Sequence, residues 1–309
     1  MQALGPSAQA PDPMNVLRSM LFVPGDSEKK LGNGDRSGAD ALVLDLEDSV
    51  LPENKARARQ LTVEYLKARP KAGRRSELWV RINSLESTLA LADLSAVVAA
   101  APDGVMLPKA EGPSDVARLS FYLDALEAQA GHAAGSTRVL PVATETAAAP
   151  FNLGAYSAAR LPRLVGLTWG SEDLAAALGA STNRDGAGEW AFTYRVVRSL
   201  TLMAARAAAV QPIDTLYADF RDEEGLRTAS RASRAEGFTG RLAIHPAQVA
   251  AINESYMPSA EEIEHARRVV AAFQASPGAG AVGLDGKMVD IPHLKQAQAL
   301  IQLSSRYGR

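Results

Sequence analysis

Acidic and basic side chains directly follow six short apolar runs in this chain. The segments are LVLDLEDSV, WVRIN, VMLPKAE, PVATET, TWGSEDL and AIHP. The polar residues at their carboxyl ends are Asp45, Glu47, Asp48, Arg81, Asn83, Lys109, Glu111, Glu145, Glu172, Asp173 and His245. This set is rich in carboxylates and has no cysteine, so it favours a hard divalent cation, Mg²⁺ or Mn²⁺, over Zn²⁺.

Two of these carboxylates, Glu145 and Asp173, are the best candidates for metal ligands. They come from successive segments, and their neighbours are small enough to admit a ligand: Thr144, Thr146, Gly170 and Ser171. Mg²⁺ is usually held by one or two protein carboxylates, with substrate and water completing the octahedron. Arg81 carries a fixed charge that suits a substrate carboxylate or an oxyanion beside the metal.

Several of these residues also have a purely structural alternative. Lys109 and Glu111 fit a solvated rim, and Asp48 and Asp173 fit the N-termini of the helices that follow them. His245 fits a loop held by backbone hydrogen bonds. The joint pattern favours chemistry, because independent loops rarely all bring carboxylates and cations to one face.

Short apolar β-type runs alternate with longer stretches of helical period along the chain. The predicted strands are Ser19–Val23, Ala41–Leu46, Leu78–Ile82, Gly104–Leu107, Arg138–Ala143, Leu164–Thr168, Pro212–Leu216 and Arg241–Ile244. The predicted helices between them include Glu53–Lys67, Ser114–Ala130, Trp190–Ala209 and Glu223–Glu236. This alternation is typical of a parallel sheet built from strand–helix units.

Eight such units predict an α/β fold, a (β/α)8 barrel, over residues 16–258. Catalytic groups of such barrels stand at the carboxyl ends of the strands, which is where the residues above lie. A doubly wound open sheet is the alternative, but no G-x-G-x-x-G turn opens any of the helices.

The two ends of the chain are predicted to lie outside the barrel. Residues 1–15 are expected to form a loose tail, without the features of a secretory signal or transit peptide. Residues 259–309 are expected to form a helix over Ala260–Ala275, a flexible glycine-rich connector and an amphipathic stretch over His293–Leu303. The last segment is either a surface excursion or a lid that closes over its own site or reaches a neighbouring subunit.

Composition excludes several classes of protein. The 309 residues carry 33 basic and 35 acidic side chains, a net charge of −2, so no broad positive field attracts nucleic acid. No apolar run approaches the roughly 20 residues of a membrane span. With no cysteine, disulfides and thiol chemistry are impossible. A cytoplasmic protein with a small-molecule substrate is expected.

The sequence resembles the citrate lyase β-subunit-like family of the HpcH/HpaI aldolase and citrate lyase superfamily. The resemblance is carried by RSMLFVPGD, DALVLDLEDSV, WVRIN, GVMLPKAE, VATET, GLTWGSEDL, AIHPAQV and GKMVDIPHLKQA, which occur in this order. It implies a Mg²⁺-dependent barrel that cleaves or forms a carbon–carbon bond in an acyl thioester. It also implies a homo-oligomer, a trimer or a hexamer, with the homotrimer frequent in the family. The substrates it implies are malyl-CoA, methylmalyl-CoA, citramalyl-CoA or citryl-ACP, which yield an acyl thioester and a 2-oxo acid.

The resemblance also implies a role for each matching residue. Glu145 and Asp173 become the metal ligands, and Arg81 lies near the thioester oxygen. Glu47 and Asp48 order the water around the metal and neighbouring side chains. Asp290, in the M-V-D-x-P motif, acts as acid or base from a lid over the neighbouring subunit's site.

Further residues of the shared motifs and their surroundings are candidates for contacts with substrate or coenzyme A. They are Arg18, Arg81, Lys109, Thr144, Gly170, Ser171, His245 and Pro246. The glycine-containing loop from Ser181 to Trp190 is expected to help shape substrate selection.

Two alternatives remain open at this point. The first is an aldolase that acts on free 2-oxo acids at the same metal site, without a thioester. The second is a subunit that works only with carrier partners on citryl-ACP, or a non-catalytic scaffold, although the intact acid–base set argues against the scaffold.

Overall fold

In the computed structural model, residues 16–306 are described, so the predicted tail at residues 1–15 lies outside the described part of the chain. Contacts divide the chain into two compact units, the first ending at Asn253 and the second beginning at Glu254. Within residues 16–306, no helix is both long and apolar enough to cross a membrane.

The described part of the first unit contains eight parallel strands. They are β1 (Ser19–Pro24), β2 (Ala41–Asp45), β3 (Glu77–Arg81), β4 (Gly104–Leu107), β5 (Arg138–Pro141), β6 (Gly166–Leu167), β7 (Gln211–Asp214) and β8 (Gly240–Ala243). Hydrogen-bonded neighbours run in the order β5-β4-β3-β2-β1-β8-β7-β6. Parallel bridges from Val139 to Leu164 and from Val142 to Thr168 join β5 to the segment around β6 and complete the ring.

Helices connect these strands. They are α1 (Glu28–Gly34), α2 (Lys55–Lys67), α3 (Ala90–Val98), α4 (Pro113–Ala130), α5 (Ala149–Asn152), α6 (Ser171–Ala177), α7 (Phe192–Ala207), α8 (Glu223–Glu236) and α9 (Gln248–Ser255). The predicted (β/α)8 barrel is confirmed, and each of the eight strands was predicted to within two residues at either end.

Side chains alternate along the strands between the barrel interior and the helices outside. The interior cluster includes Met20, Val43 and Trp79. The Trp79 ring fills so much of this space that a Cβ on Gly104 would lie 2.2 Å from it, so β4 must begin with glycine. Two residues after Val43 and Trp79 the same inward positions hold Asp45 and Arg81. The interior therefore changes from apolar to ionic toward the carboxyl ends of the strands.

The second unit contains two helices and a hairpin. Helix α10 (Ala260–Gln274) begins with a capping box between Ser259 and Glu262, and strands β9 (Ala281–Leu284) and β10 (Lys287–Asp290) lead into α11 (Ile291–Arg306). Phe273, Val289 and other apolar side chains form its core.

The predicted flexible connector is wrong in part, because β9 and β10 pair across it as an antiparallel hairpin. Its turn residues, Asp285 and Gly286, have φ values of +51° and +74°. Asp-Gly between two strands is the usual signal for a two-residue hairpin turn, and the glycine-rich composition around it obscured that signal.

Candidate functional site

A buried ion pair between the ends of β2 and β3 forms the base of the site. Arg81 donates to both carboxylate oxygens of Asp45, from Nε and from Nη2, each at 2.7 Å. Burial opposes ionisation of Asp45, but the hydrogen bonds and charge of Arg81 outweigh it and hold the pKa of Asp45 below its usual value. The Asp45 carboxylate also accepts from the backbone N–H of Glu47 and of Ser49, which fixes the loop after β2.

Glu47 and Lys109 extend this ionic network toward the surface. A carboxylate oxygen of Glu47 lies 3.1 Å from Arg81 Nη1, and the other contacts the Lys109 ammonium. Lys109 Nζ also lies 3.1 Å from Asp48 and 3.6 Å from Asp173. Burial raises the pKa of Glu47 although both cations oppose the shift. Five of the predicted site residues are therefore connected through direct ionic contacts.

Glu145 is buried at the end of the segment that follows β5. Its Oε2 accepts a 2.6 Å hydrogen bond from the backbone N–H of Lys109, which has the left-handed φ of +53°. Burial raises the pKa of Glu145 to about 8, and the negative charge of Asp173 adds to the rise while the Lys109 N–H opposes it. A Cβ on Gly170 would lie 2.7 Å from Glu145 Cγ, so this position must be glycine for Glu145 to occupy its place.

Asp173 stands in the first turn of α6 and keeps about a third of its side chain exposed. Its neighbour Glu172 accepts from Asn183 Nδ2 at 2.8 Å and from the Ser171 hydroxyl. The loop from Ser181 to Trp190 is thereby tied to α6. The first turn of a helix favours negative charge, and both Glu172 and Asp173 stand there.

A cavity of about 220 Å³ opens among these residues at the carboxyl ends of the strands. Its polar lining includes Arg81, Asp45, Glu145, Ser171 and Asp173. Its apolar wall is formed by Phe22, Val142, Trp169, Leu216, Leu242 and Ile244. The structure thus brings the predicted metal pair and the predicted arginine to one cavity.

Trp169 is a site residue that the sequence did not single out. Asp45 was identified by its position, but not as the partner of Arg81. Trp169 is fully buried, donates from Nε1 to Asp214 at 2.7 Å and packs edge-on against Trp190, with ring centroids 5.1 Å apart. Asp214 also pairs with Arg198 and Arg241. The only available signal for Trp169 was its place directly after the sixth apolar run.

Arg18 does not lie at this mouth, which contradicts its expected role in substrate binding. It precedes β1 and forms a bidentate ion pair with Asp40, which precedes β2, so both stand at the amino ends of the strands. The opposite end of a barrel serves stability rather than chemistry. The motif RSMLFVPGD therefore contributes Arg18 to the structure and not to the cavity.

Three other candidates for substrate contacts have positions that explain them structurally. Thr144 is fully buried and accepts from the N–H of Gly170 at 3.1 Å. His245 stacks on Phe220, with ring centroids 4.7 Å apart, and Pro246 beside it is exposed. Neither His245 nor Pro246 is among the residues that line the cavity.

Asp290 belongs to the second unit, where it ends β10. Its side chain is partly exposed, and its carboxylate lies 2.5 Å from Nδ1 of His293. The hydrogen bond to His293 lowers the pKa of Asp290 below its usual value. The carboxylate is therefore ionised at neutral pH.

Within residues 16–306, no group of three or more His, Asp or Glu side chains is arranged to hold a metal ion. A site built on Glu145 and Asp173 has two protein ligands. That number is ordinary for Mg²⁺, which keeps several waters or substrate oxygens.

The chain is similar to known proteins over almost its whole length. Residues 18–246 match the family model described as HpcH/HpaI aldolase/citrate lyase, and residues 190–309 match that of a C–C bond lyase of the TIM-barrel fold. Mitochondrial citramalyl-CoA lyase of Rattus norvegicus is 36% identical over 301 residues, covering 93% of this chain and 86% of that protein. The citrate lyase subunit beta of Escherichia coli K12 is 35% identical over 297 residues, covering 94% of each.

A solved structure agrees with these relatives. CitE of Mycobacterium tuberculosis, in complex with magnesium, acetoacetate and coenzyme A, superposes with a TM-score of 0.77 at 32% identity, covering 95% of this chain and 99% of that one. The barrel, the polar residues at its mouth and these matches together place the chain in the HpcH/HpaI aldolase/citrate lyase family.

Proposed function

We propose that this protein is a Mg²⁺-dependent carbon–carbon lyase. It cleaves, or in reverse forms, a 3-hydroxy-dicarboxylyl thioester, giving an acetyl-type thioester and a 2-oxo acid. The observation that carries the proposal is the convergence of Glu145, Asp173 and Arg81 on one cavity at the strand ends. The names of the relatives above, which are lyases or lyase subunits, support the same reaction class.

The residues present fit a Mg²⁺ or Mn²⁺ ion. The donor set consists of carboxylate oxygens, which these cations prefer. Burial raises the pKa of Glu145, and a divalent cation bound beside this carboxylate would favour its charged form. When bound, the ion acts as a Lewis acid that lowers the pKa of the substrate hydroxyl.

The chain's own residues then control where charge develops. In cleavage the hydroxyl proton passes to water, the hydroxyl-bearing carbon becomes the carbonyl of the 2-oxo acid, and its bond to the thioester α-carbon breaks. The electron pair of that bond is left on a thioester enolate. Arg81, fixed by Asp45, is a preorganised cation that stabilises the enolate oxygen without rearrangement. Glu47 and Asp48 hold Lys109 and order water at the rim, while the apolar wall limits access of bulk water.

Asp290 is proposed as the base that removes the α-carbon proton in the condensing direction. In cleavage it is proposed to take up a proton from water and pass it to the enolate carbon. Its partly exposed, ionised carboxylate is in the state that proton abstraction in the condensing direction requires. Asp290→Asn is expected to leave Mg²⁺ affinity unchanged and to lower kcat by about 10² to 10⁴ fold, the usual contribution of general acid–base catalysis. Isothermal titration with Mg²⁺ and steady-state kinetics measure the two quantities, and full activity in the variant would remove Asp290 from the mechanism.

A mixing experiment decides whether Asp290 acts on a neighbouring subunit. Asp290→Asn and Glu145→Gln chains, each expected to have strongly reduced activity alone, are co-expressed with different affinity tags and the mixed oligomers are purified. If Asp290 acts across subunits, the Glu145→Gln chain supplies its Asp290 to an intact metal site, and part of the activity returns. If activity stays at the level of the separate variants, the lid serves its own subunit.

A homo-oligomer, with the trimer as the specific expectation, is proposed from the surface of α7. Phe192, Val196, Leu200 and Met203 recur three or four residues apart, and Phe192 and Met203 leave 74% and 57% of their surface exposed. Contiguous exposed apolar surface of this kind marks an interaction site. The proposed cytoplasmic location stays a prediction.

Charges on α7 are expected to break the oligomer. The double variant Phe192→Asp, Met203→Asp places carboxylates in the proposed interface, and light scattering after size exclusion should show a shift to monomer. Phe121→Asp, at a residue of α4 that is 73% exposed, is the matched control and should keep the wild-type mass. An unchanged mass in the double variant would locate the interface elsewhere.

The function is tested by a cleavage screen read by mass spectrometry. The purified protein is offered malyl-, citramalyl-, methylmalyl- and citryl-CoA with Mg²⁺, and again with EDTA. Release of acetyl-CoA or propionyl-CoA that depends on the metal is expected from one of them. The similarity to citrate lyase subunit beta favours a second candidate function, that of a subunit which needs an acyl carrier protein. The screen is therefore repeated with citryl-ACP. Cleavage only of a free hydroxy-oxo acid would favour the aldolase instead.

A further inference from the structure

Lys109 has an unusual position in the site just described. Its backbone N–H donates to Glu145, and its ammonium contacts Glu47, Asp48 and Asp173. The residue follows β4 and adopts a left-handed φ of +53°, which few residues other than glycine adopt. One residue thus reaches carboxylates from the loops after β2, β5 and β6.

These contacts argue against the expected role of Lys109 in binding coenzyme A. Its ammonium has three donors, and three carboxylates surround it. A phosphate or carboxylate of a ligand would have to displace one of these carboxylates. Lys109 lines a different cavity, of about 470 Å³, together with Glu86, Glu111 and Asp115. The negative charge of these three carboxylates disfavours an anion there.

We propose that Lys109 is a positioning residue whose ammonium holds Glu47 and Asp48 in place and limits how tightly the metal binds at Glu145 and Asp173. The inference rests on the proposed function, since it takes those two carboxylates as the metal ligands. A fixed positive charge 3.6 Å from Asp173 repels a divalent cation held by the same carboxylate. The backbone N–H at the same residue orients Glu145 independently of the side chain.

This arrangement predicts that metal affinity and turnover change in opposite directions when the ammonium is removed. Lys109→Met is expected to bind Mg²⁺ about tenfold more tightly, because the like charge is gone. Its kcat at saturating Mg²⁺ is expected to fall about 10 to 100 fold, because Glu47 and Asp48 lose their shared partner. A residue that only supported the ligands would lower metal affinity when replaced.

The experiment measures the dissociation constant of Mg²⁺ by isothermal titration in the absence of substrate, and kcat separately. Lys109→Arg keeps the charge and should restore near wild-type affinity. Lys109→Gln is a second neutral variant, which serves if Lys109→Met does not fold. Lys71→Met removes the same unit of charge at the opposite end of the barrel, where Lys71 bonds the Ser136 carbonyl, and should change neither quantity.

The Mg²⁺ affinity and the turnover of the Lys109 variants together test the inference. Tighter Mg²⁺ binding with reduced turnover in the neutral variants supports the inference, and unchanged or weaker binding overturns it. Glu145→Gln is titrated alongside: if the wild-type protein binds no Mg²⁺, or binds it equally well without Glu145, the proposed metal pair itself fails. If only the Lys109 variants fail to bind more tightly, the metal pair stands and the inference about Lys109 does not.

Discussion

Glu145→Gln and Asp173→Asn, made singly, are each expected to abolish measurable Mg²⁺ binding and to lower kcat by about 10³ fold or more. A catalytic metal stabilises developing charge by several kcal/mol, and each factor of ten in rate corresponds to about 1.4 kcal/mol. An amide keeps the shape of the carboxylate but lacks its charge. Titration calorimetry with Mg²⁺ and kinetics at high Mg²⁺ provide the measurement.

Loss of folding is not the expected cause of the effect of Glu145→Gln. The pKa of Glu145 is raised to about 8, so its charged form is disfavoured in the folded protein, and a neutral amide should leave the free energy of unfolding unchanged or higher above that pH. Lys109 can still donate its N–H to the amide oxygen. Glu111→Gln, at an exposed residue on the same rim, removes the same charge and should have little effect. Retained Mg²⁺ binding in either site variant would refute the metal assignment.

Arg81→Met is expected to affect both stability and catalysis. It leaves Asp45 fully buried without its charged partner, which costs about 3–5 kcal/mol in free energy of unfolding. It also removes the cation proposed to stabilise the enolate oxygen, which lowers kcat by about 10² to 10³ fold. Denaturant titration and kinetics at saturating Mg²⁺ measure the two effects.

The double variant Asp45→Asn, Arg81→Met separates the effect on stability from the effect on catalysis. Replacing both partners of a buried ion pair is far less costly than breaking it, so much of the stability should return. The activity should not return, since the cation is still missing. If activity recovered with stability, Arg81 would be a structural residue alone.

Much of the fold and the core of the candidate site could be predicted from the residues. Runs such as ALVL are apolar throughout, as expected of central strands that are covered on both faces. Eight such runs separated by stretches of helical period are compatible with few α/β architectures. Residues placed directly after parallel strands must converge at one end of a barrel. That is why Arg81, Glu145 and Asp173 were identified by position and then found together around one cavity.

Other properties depended on which partners the folded chain brings together. Arg18 and Arg81 are the same residue type beside apolar strands, yet Arg18 pairs with Asp40 at the amino ends and Arg81 with Asp45 at the carboxyl ends. The sequence makes Lys109 a candidate for contact with substrate or coenzyme A, or else a solvated rim residue. Its left-handed backbone and its three carboxylate contacts depend on the folded chain. The local pattern of apolar residues indicates where a strand lies and which residue ends it. The charge balance at Lys109 and Glu145 is set by loops distant in sequence, and only the closed barrel brings those loops within a few ångströms.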